Sequence, residues 1–296
     1  MKEFVNMKHI CAQPATQHYA WQIDVMLHSF EKNGVMDVDV VLTEQENDYF
    51  ELLKKKYPWV NFFFYADTRK DKSYPPTTKA HLLAKHLKET GVRDFFLTDC
   101  DIVLTKPLKL EKLKHDDVWY LSDTISYLGY NYILSKGRRV LDLMLNVFQI
   151  DEDLVKTNQP NSGGAQYLFK DVDPEYFEEV EAMSNRLYKA FLNDLKENPK
   201  EKNPIQKWTA EMWAFLYVAW KNGKQTKVHK DLDFCFATDT IKRWDDVSIY
   251  HNAGVTHQTE ELFFKGNYIN EIPPLDLNLL PNRTSYKYYE LIKQAL

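Results

Sequence analysis

Short apolar runs alternate with amphipathic stretches along the first hundred residues. Lys8 to Ala12, Val38 to Leu42 and Asn61 to Tyr65 are brief and apolar, which predicts buried strands. Between the first two, Ile23, Met26, Leu27 and Phe30 recur at i, i+3, i+4 and i+7. That spacing predicts a helix from about Tyr19 to Asn33, ended by Gly34. Asn47 to Tyr57 reads as a second helix with Asn47 as its N-cap. After the turn Tyr74-Pro75-Pro76, the positions of Ala80, Leu83, Ala84 and Leu87 predict a helix from Thr77 to Thr90, closed by Gly91. Phe95 to Thr98 is again an apolar strand. Such alternation of strands and helices implies a parallel sheet with helices on its faces.

The pattern changes after Pro107. Val118 to Leu121 reads as a strand, Gly137 to Val147 as a helix, and Asp151 to Pro160 as a polar loop leading into Asn161-Ser162-Gly163-Gly164-Ala165-Gln166. Pro174 to Asn198 predicts a long charged helix with Tyr176, Val180, Met183, Leu187, Phe191 and Leu195 as its packing stripe. Lys196 to Lys207 is a polar connector with two prolines. Trp208 to Trp220 is apolar nearly all round, as in a buried helix, and Glu211 is the one charge inside it. A buried carboxylate needs a partner or faces a cavity where it does chemistry. Ser248 to His251 is a last strand candidate, and a final helix is expected near Tyr286 to Ala295.

Chemistry concentrates where the fourth strand ends, in Asp99-Cys100-Asp101. In a straight strand, residues i and i+2 point to one side, so the two carboxylates are expected to lie together. Like charges crowded there repel unless a cation or proton sits between them. Carboxylate oxygens suit Mg²⁺ or Mn²⁺, and ligands of open α/β sheets bind at the carboxyl ends of strands. The start is Rossmann-like, yet the loop after the first strand lacks Gly-x-Gly-x-x-Gly, which argues against ordinary dinucleotide binding.

Composition narrows the choice further. The 296 residues are 44% hydrophobic and 27% charged with a net charge of −5, so no global basic field points to nucleic acid. Cys11, Cys100 and Cys235 are odd in number, widely spaced and set in apolar stretches, which reads as buried free thiols in a reducing cytoplasm. No apolar run reaches the length of a membrane span, and the N-terminus lacks the apolar core of a signal peptide.

With these pieces in order, the chain resembles the GT-A class of nucleotide-sugar glycosyltransferases, near glycogenin and the bacterial lipopolysaccharide galactosyltransferases. Thr78-Lys79, a helix and then Phe95-Phe96-Leu97-Thr98-Asp99-Cys100-Asp101 resembles their Thr-Lys, helix, strand and Asp-x-Asp block. Asn161-Ser162-Gly163-Gly164 is similar to the turn lining the sugar pocket, and His251-Asn252-Ala253-Gly254 to the late His-x-x-Gly element. The resemblance implies a single GT-A domain over residues 1–296. Residues 1–115 would hold the donor, and residues 116–296, with a helical insertion at about 174–207, would shape the acceptor site.

The resemblance also implies residue roles. Asp99, Asp101 and His251 would hold Mn²⁺ (or Mg²⁺) on the diphosphate, and Lys79 and Lys265 would neutralise its charge. Asn161, Ser162, Gly163, Gly164 and Gln166 would face the sugar, with Gly254 beside the donor. Gln13 and Trp21 follow the first strand, where the nucleotide base docks in this fold. Glu211 would be the general base toward the acceptor hydroxyl. The donor would be a UDP-sugar. The acceptor would be a glycan, a protein or a hydroxymethylated DNA base. The DNA option comes from likeness to phage-encoded transferases and would place the protein in the host cytoplasm.

This sequence departs from the family pattern in two places. Where the glycogenin type has an Asp-Gln pair soon after the turn, Gln166 comes directly and the comparable acidic element, Ala210-Glu211-Met212-Trp213, only after the long helix. The Lys-Pro-Trp element expected after the histidine is missing. Two other readings share the Asp-x-Asp. A haloacid dehalogenase-type phosphatase would use Asp99 as nucleophile, but expects Gly-Thr where Ile102-Val103 stands and expects its motif on the first strand. A non-catalytic scaffold would bind a nucleotide-sugar without turnover.

Overall fold

The computed structural model describes residues 7–45, 48–257, 259 and 261–296. The proposed cap Asn47 lies outside them. The chain clusters into two compact units. One comprises Met1–Ala66, Phe96–Lys114 and Lys230–Leu296, and the other Asp67–Phe95 and His115–His229. These units do not follow a division at residue 115, because the C-terminal segment packs with the N-terminal strands and helices.

In the first unit, four parallel strands run in the order Val60–Tyr65, Val38–Thr43, His9–Gln13, Phe95–Thr98. The two central ones are buried along their length, as continuous apolar runs should be in a parallel sheet. Helix Gln17–Lys32 buries Trp21, Ile23, Val25, Met26, Leu27 and Phe30. Helix Thr284–Ala295 packs on Gln17–Lys32, and Tyr250, Phe263 and Tyr288 join Trp21 and Val25 in one aromatic-rich core. A second, three-stranded sheet is built by Ile102–Leu104, Ile249–His251 and Phe234–Phe236.

In the second unit, strand Trp119–Asp123 pairs antiparallel with Gly163–Phe169 and parallel with Thr226–Val228. Helix Pro174–Glu197 packs on helices Thr77–Thr90 and Ala210–Lys221, so the expected insertion is central to this unit. Its stripe from Tyr176 to Phe191 is buried, whereas Leu195 is only partly covered. Helix Thr77–Thr90 ends at Gly91 with φ +72°, the left-handed cap a glycine adopts without cost. Parallel and antiparallel strands flanked by helices make this a mixed α/β fold.

Three expectations need correction here. The polar stretch after Asp151 is not all loop, since Glu152–Thr157 forms a short helix with two acidic residues in its first turn. Trp208 does not belong to the buried helix. It lies in a 3₁₀ turn, Lys207–Thr209, and is 58% exposed. The glycines of Asn161-Ser162-Gly163-Gly164 do not form a turn but open a fully buried strand.

That strand carries a bulge. Leu121 pairs with Tyr167 but Ser122 with Gly164, so Ala165 and Gln166 are extra on one side, and Ala165 takes φ +64°. A Cβ on Gly163 would meet Leu121 Cβ at 2.5 Å and the Ser122 carbonyl oxygen at 2.6 Å. Gly163→Ala is therefore expected to destabilise the protein by about 1–3 kcal/mol, the usual range for overpacking. A urea midpoint unchanged from wild type would show that the strands part without cost.

Candidate functional site

The carboxylates Asp99 and Asp101 come together by a turn, not by strand alternation. The strand stops at Thr98, Asp99-Cys100-Asp101 bends, and Ile102–Leu104 departs into the second sheet. His251 reaches them from 150 residues away because Ile249–His251 pairs antiparallel with Ile102–Leu104, setting His251 opposite Ile102. The Asn252 amide then donates to the Asp101 carbonyl at 2.9 Å and locks that register. Gly254, at φ +89°, turns the chain just after.

One ligand atom from each of Asp99, Asp101 and His251 lies within 4.8 Å of the others. His251 Nε2 is 3.3 Å from Asp101 Oδ1, and the Lys265 ammonium is ion-paired with Asp101 Oδ2. Burial by itself raises the Asp101 pKa. Lys265 and His251 outweigh it and hold the carboxyl well below the usual range. Burial lowers the Lys265 pKa, but its attraction to Asp101 prevails and raises it. A buried carboxylate that gathers an ammonium and an imidazole marks a position that calls for positive charge. Two carboxylates and an imidazole fit a divalent ion. Cys100, between the aspartates, is buried, and burial pushes its thiol pKa well up.

Sequence reasoning passed over His18. Its Nδ1 is 3.1 Å from the Tyr268 carbonyl oxygen, and the charges of Lys265 and Asp101 both act on it. Burial is the main cause of its lowered pKa. Its position just past the first strand was the available signal. Gln13 ends that strand and is nearly buried. Trp21 corrects an expectation. Its ring is wholly enclosed in the core, edge-on to Phe263, and its indole N–H donates to the Tyr268 carbonyl at 3.1 Å. No face is left for a nucleotide base.

The second unit holds the remaining candidates. Glu211, 6% exposed in the first turn of helix Ala210–Lys221, has its Oε2 3.4 Å from Lys79 Nζ. The buried Tyr74 hydroxyl accepts the Glu211 amide at 3.1 Å and donates to the Trp208 carbonyl. Of the stretch expected to face a sugar, Asn161 is partly exposed, and its carbonyl accepts from Thr226 Oγ1 at 3.1 Å. Ser162 is buried and donates to the Asn158 carbonyl at 3.1 Å. Gly163 and Gly164 serve close packing, the latter against Met212, Leu128 and Thr124. The bulge turns Gln166 inward, where its Oε1 accepts from Ser122 Oγ at 2.6 Å.

No protein-family model and no curated protein matches the chain. Solved structures do. A structure described as the bifunctional glycosyltransferase WbbM in its apo form is 10% identical and aligns over 98% of this chain with a TM-score of 0.54. The chain spans about half, 52%, of that protein. The fold is that of the GT-A-like glycosyltransferases. Also similar are the galactosyltransferase LgtC with donor and acceptor sugar analogues (10% identity, 97% of this chain, 96% of that one, TM-score 0.49) and GlyE of Streptococcus pneumoniae TIGR4 (10%, 97%, 60%, 0.48). Among the described residues no helix is long and apolar enough to cross a membrane.

Proposed function

We propose that the protein is a metal-dependent glycosyltransferase that moves a sugar from a nucleotide-diphosphate sugar, a UDP-sugar, to a hydroxyl acceptor. The observation that carries this reading is the Asp99, Asp101 and His251 cluster with Lys265 at the end of a parallel strand, on a glycosyltransferase fold. Asp99, Asp101 and His251 would hold Mn²⁺, or Mg²⁺ in its place. A divalent ion there supplies Lewis-acid stabilisation to the departing diphosphate. Lys265 moves from Asp101 to a diphosphate oxygen, which keeps its charge paired. Gln13, Lys79, Asn161 and Gly254 attend the donor, and Glu211 takes the proton of the acceptor hydroxyl. The phosphatase reading is disfavoured because Asp99 follows the fourth strand in sequence and Ile102-Val103 enters a separate sheet.

Thermal-shift measurements with UDP-, GDP-, ADP- and CMP-sugars, each with Mn²⁺ or EDTA, test the donor half of the proposal. A ligand at a hundred times its Kd stabilises by about 2.7 kcal/mol. A rise with UDP-sugar and Mn²⁺ that EDTA removes is the expected result. Equal shifts in EDTA, or none with any nucleotide-sugar, would refute it.

A further inference from the structure

We infer that Trp208 is a platform on which the ring of a carbohydrate acceptor rests, one turn ahead of Glu211. The inference deepens the glycosyltransferase reading and rests on it.

An exposed indole offers a broad apolar face with one polar edge, a surface suited to a ligand that is itself part apolar and part polar. Trp208 is 58% exposed, yet the backbone beneath it is firmly held. Thr209 Oγ1 donates to the Gln206 carbonyl at 2.7 Å, and neighbouring Ile205 is buried. The Trp208 carbonyl accepts from the Tyr74 hydroxyl, and that same hydroxyl accepts the amide of Glu211. One phenol therefore fixes the spacing of Trp208 and Glu211. Tyr74 also braces the indole edge-on, with centroids 5.8 Å apart and planes at 83°, and is itself stacked on Tyr188 at 4.5 Å. Residues three apart in a 3₁₀ turn running into a helix share a side. The result is a rigid aromatic face held by the same phenol that holds the backbone of Glu211.

Such a pair matches a pyranose. Its C–H face packs on an indole while its rim of hydroxyls reaches a carboxylate, an apolar body with a polar edge. The surrounding charge favours this ligand over DNA. Helix Pro174–Glu197 and the connector to Lys207 carry six basic against seven acidic side chains, with no cationic excess to neutralise phosphates.

The test uses the full chain labelled with 5-fluorotryptophan, the Trp208 resonance being assigned as the one missing from Trp208→Phe. Methyl β-galactopyranoside, methyl β-glucopyranoside and a duplex oligonucleotide bearing 5-hydroxymethylcytosine are titrated in turn. The expected result is a saturable shift of the Trp208 resonance with a glycoside. In transfer assays, Trp208→Ala then raises the acceptor KM roughly ten-fold, the scale of a lost aromatic contact, with the loss falling on KM rather than kcat, and Trp208→Phe recovers part of it. A Trp208 resonance that moves with the oligonucleotide alone, or with none of the three, overturns the inference, as does an unchanged acceptor KM in Trp208→Ala. A glycoside-induced shift in a protein that turns over no nucleotide-sugar would keep the sugar platform and refute the transferase reading instead.

Discussion

Asp101→Ala is expected to abolish metal-dependent transfer while the protein still folds. Asp101 is the most enclosed of the three candidate ligands, 6% exposed, and the one contacted by both His251 and Lys265. Removing it deletes a candidate ligand and the shared contact of His251 and Lys265 together. The Lys265 side chain is 33% exposed and can return its ammonium to water, so the stability cost is limited by solvent screening. The activity cost is not limited in that way. A loss of at least about 10²–10³-fold is expected, the scale of removing one group that stabilises developing charge. Asp101→Asn keeps the shape and removes the charge, and should fall almost as far. Calorimetric titration of Mn²⁺ with UDP-sugar, beside transfer rates in Mn²⁺ and in EDTA, separates binding from turnover. An Asp101→Ala enzyme within ten-fold of wild type and still stimulated by Mn²⁺ would remove Asp101 from the metal site.

Much of the first hundred residues was legible because its signals are local. Helix Thr77–Thr90 and strand Phe95–Thr98 begin and end where apolar spacing, Gly91 and the aspartates put them. What stayed hidden depends on partners distant in the chain. Asp99 and Asp101 meet through a turn whose shape is set by Ile102–Leu104 leaving for a strand near residue 250. The stretch after Asn161 looks like a glycine turn, and only pairing with Trp119–Asp123 makes it a bulged strand. Trp21 and Trp208 reversed their expected environments for the same reason. An indole carries no record of which neighbours enclose it, and here Phe263 and Tyr268 cover the first while the second projects from a turn.

Glu211→Gln is expected to lower kcat by roughly 10²–10⁴-fold, the range of positioned general-base catalysis, while donor binding stays near wild type. The carboxylate lies in the first turn of its helix, and its backbone amide is held by Tyr74. Lys79 Nζ lies 3.4 Å from its Oε2. An acceptor hydroxyl arriving at Glu211 needs a base as its oxygen attacks, and an amide has the same shape without the capacity to take a proton. Glutamine also removes the charged partner of Lys79, and donor binding separates the two effects, since a disturbed Lys79 would weaken it and a lost base would not. Thermal shift with UDP-sugar and Mn²⁺ reports whether the donor still binds, and transfer at saturating acceptor reports kcat. Turnover by Glu211→Gln within a few-fold of wild type would place the base elsewhere and leave the Lys79–Glu211 pair as a purely structural feature of the second unit.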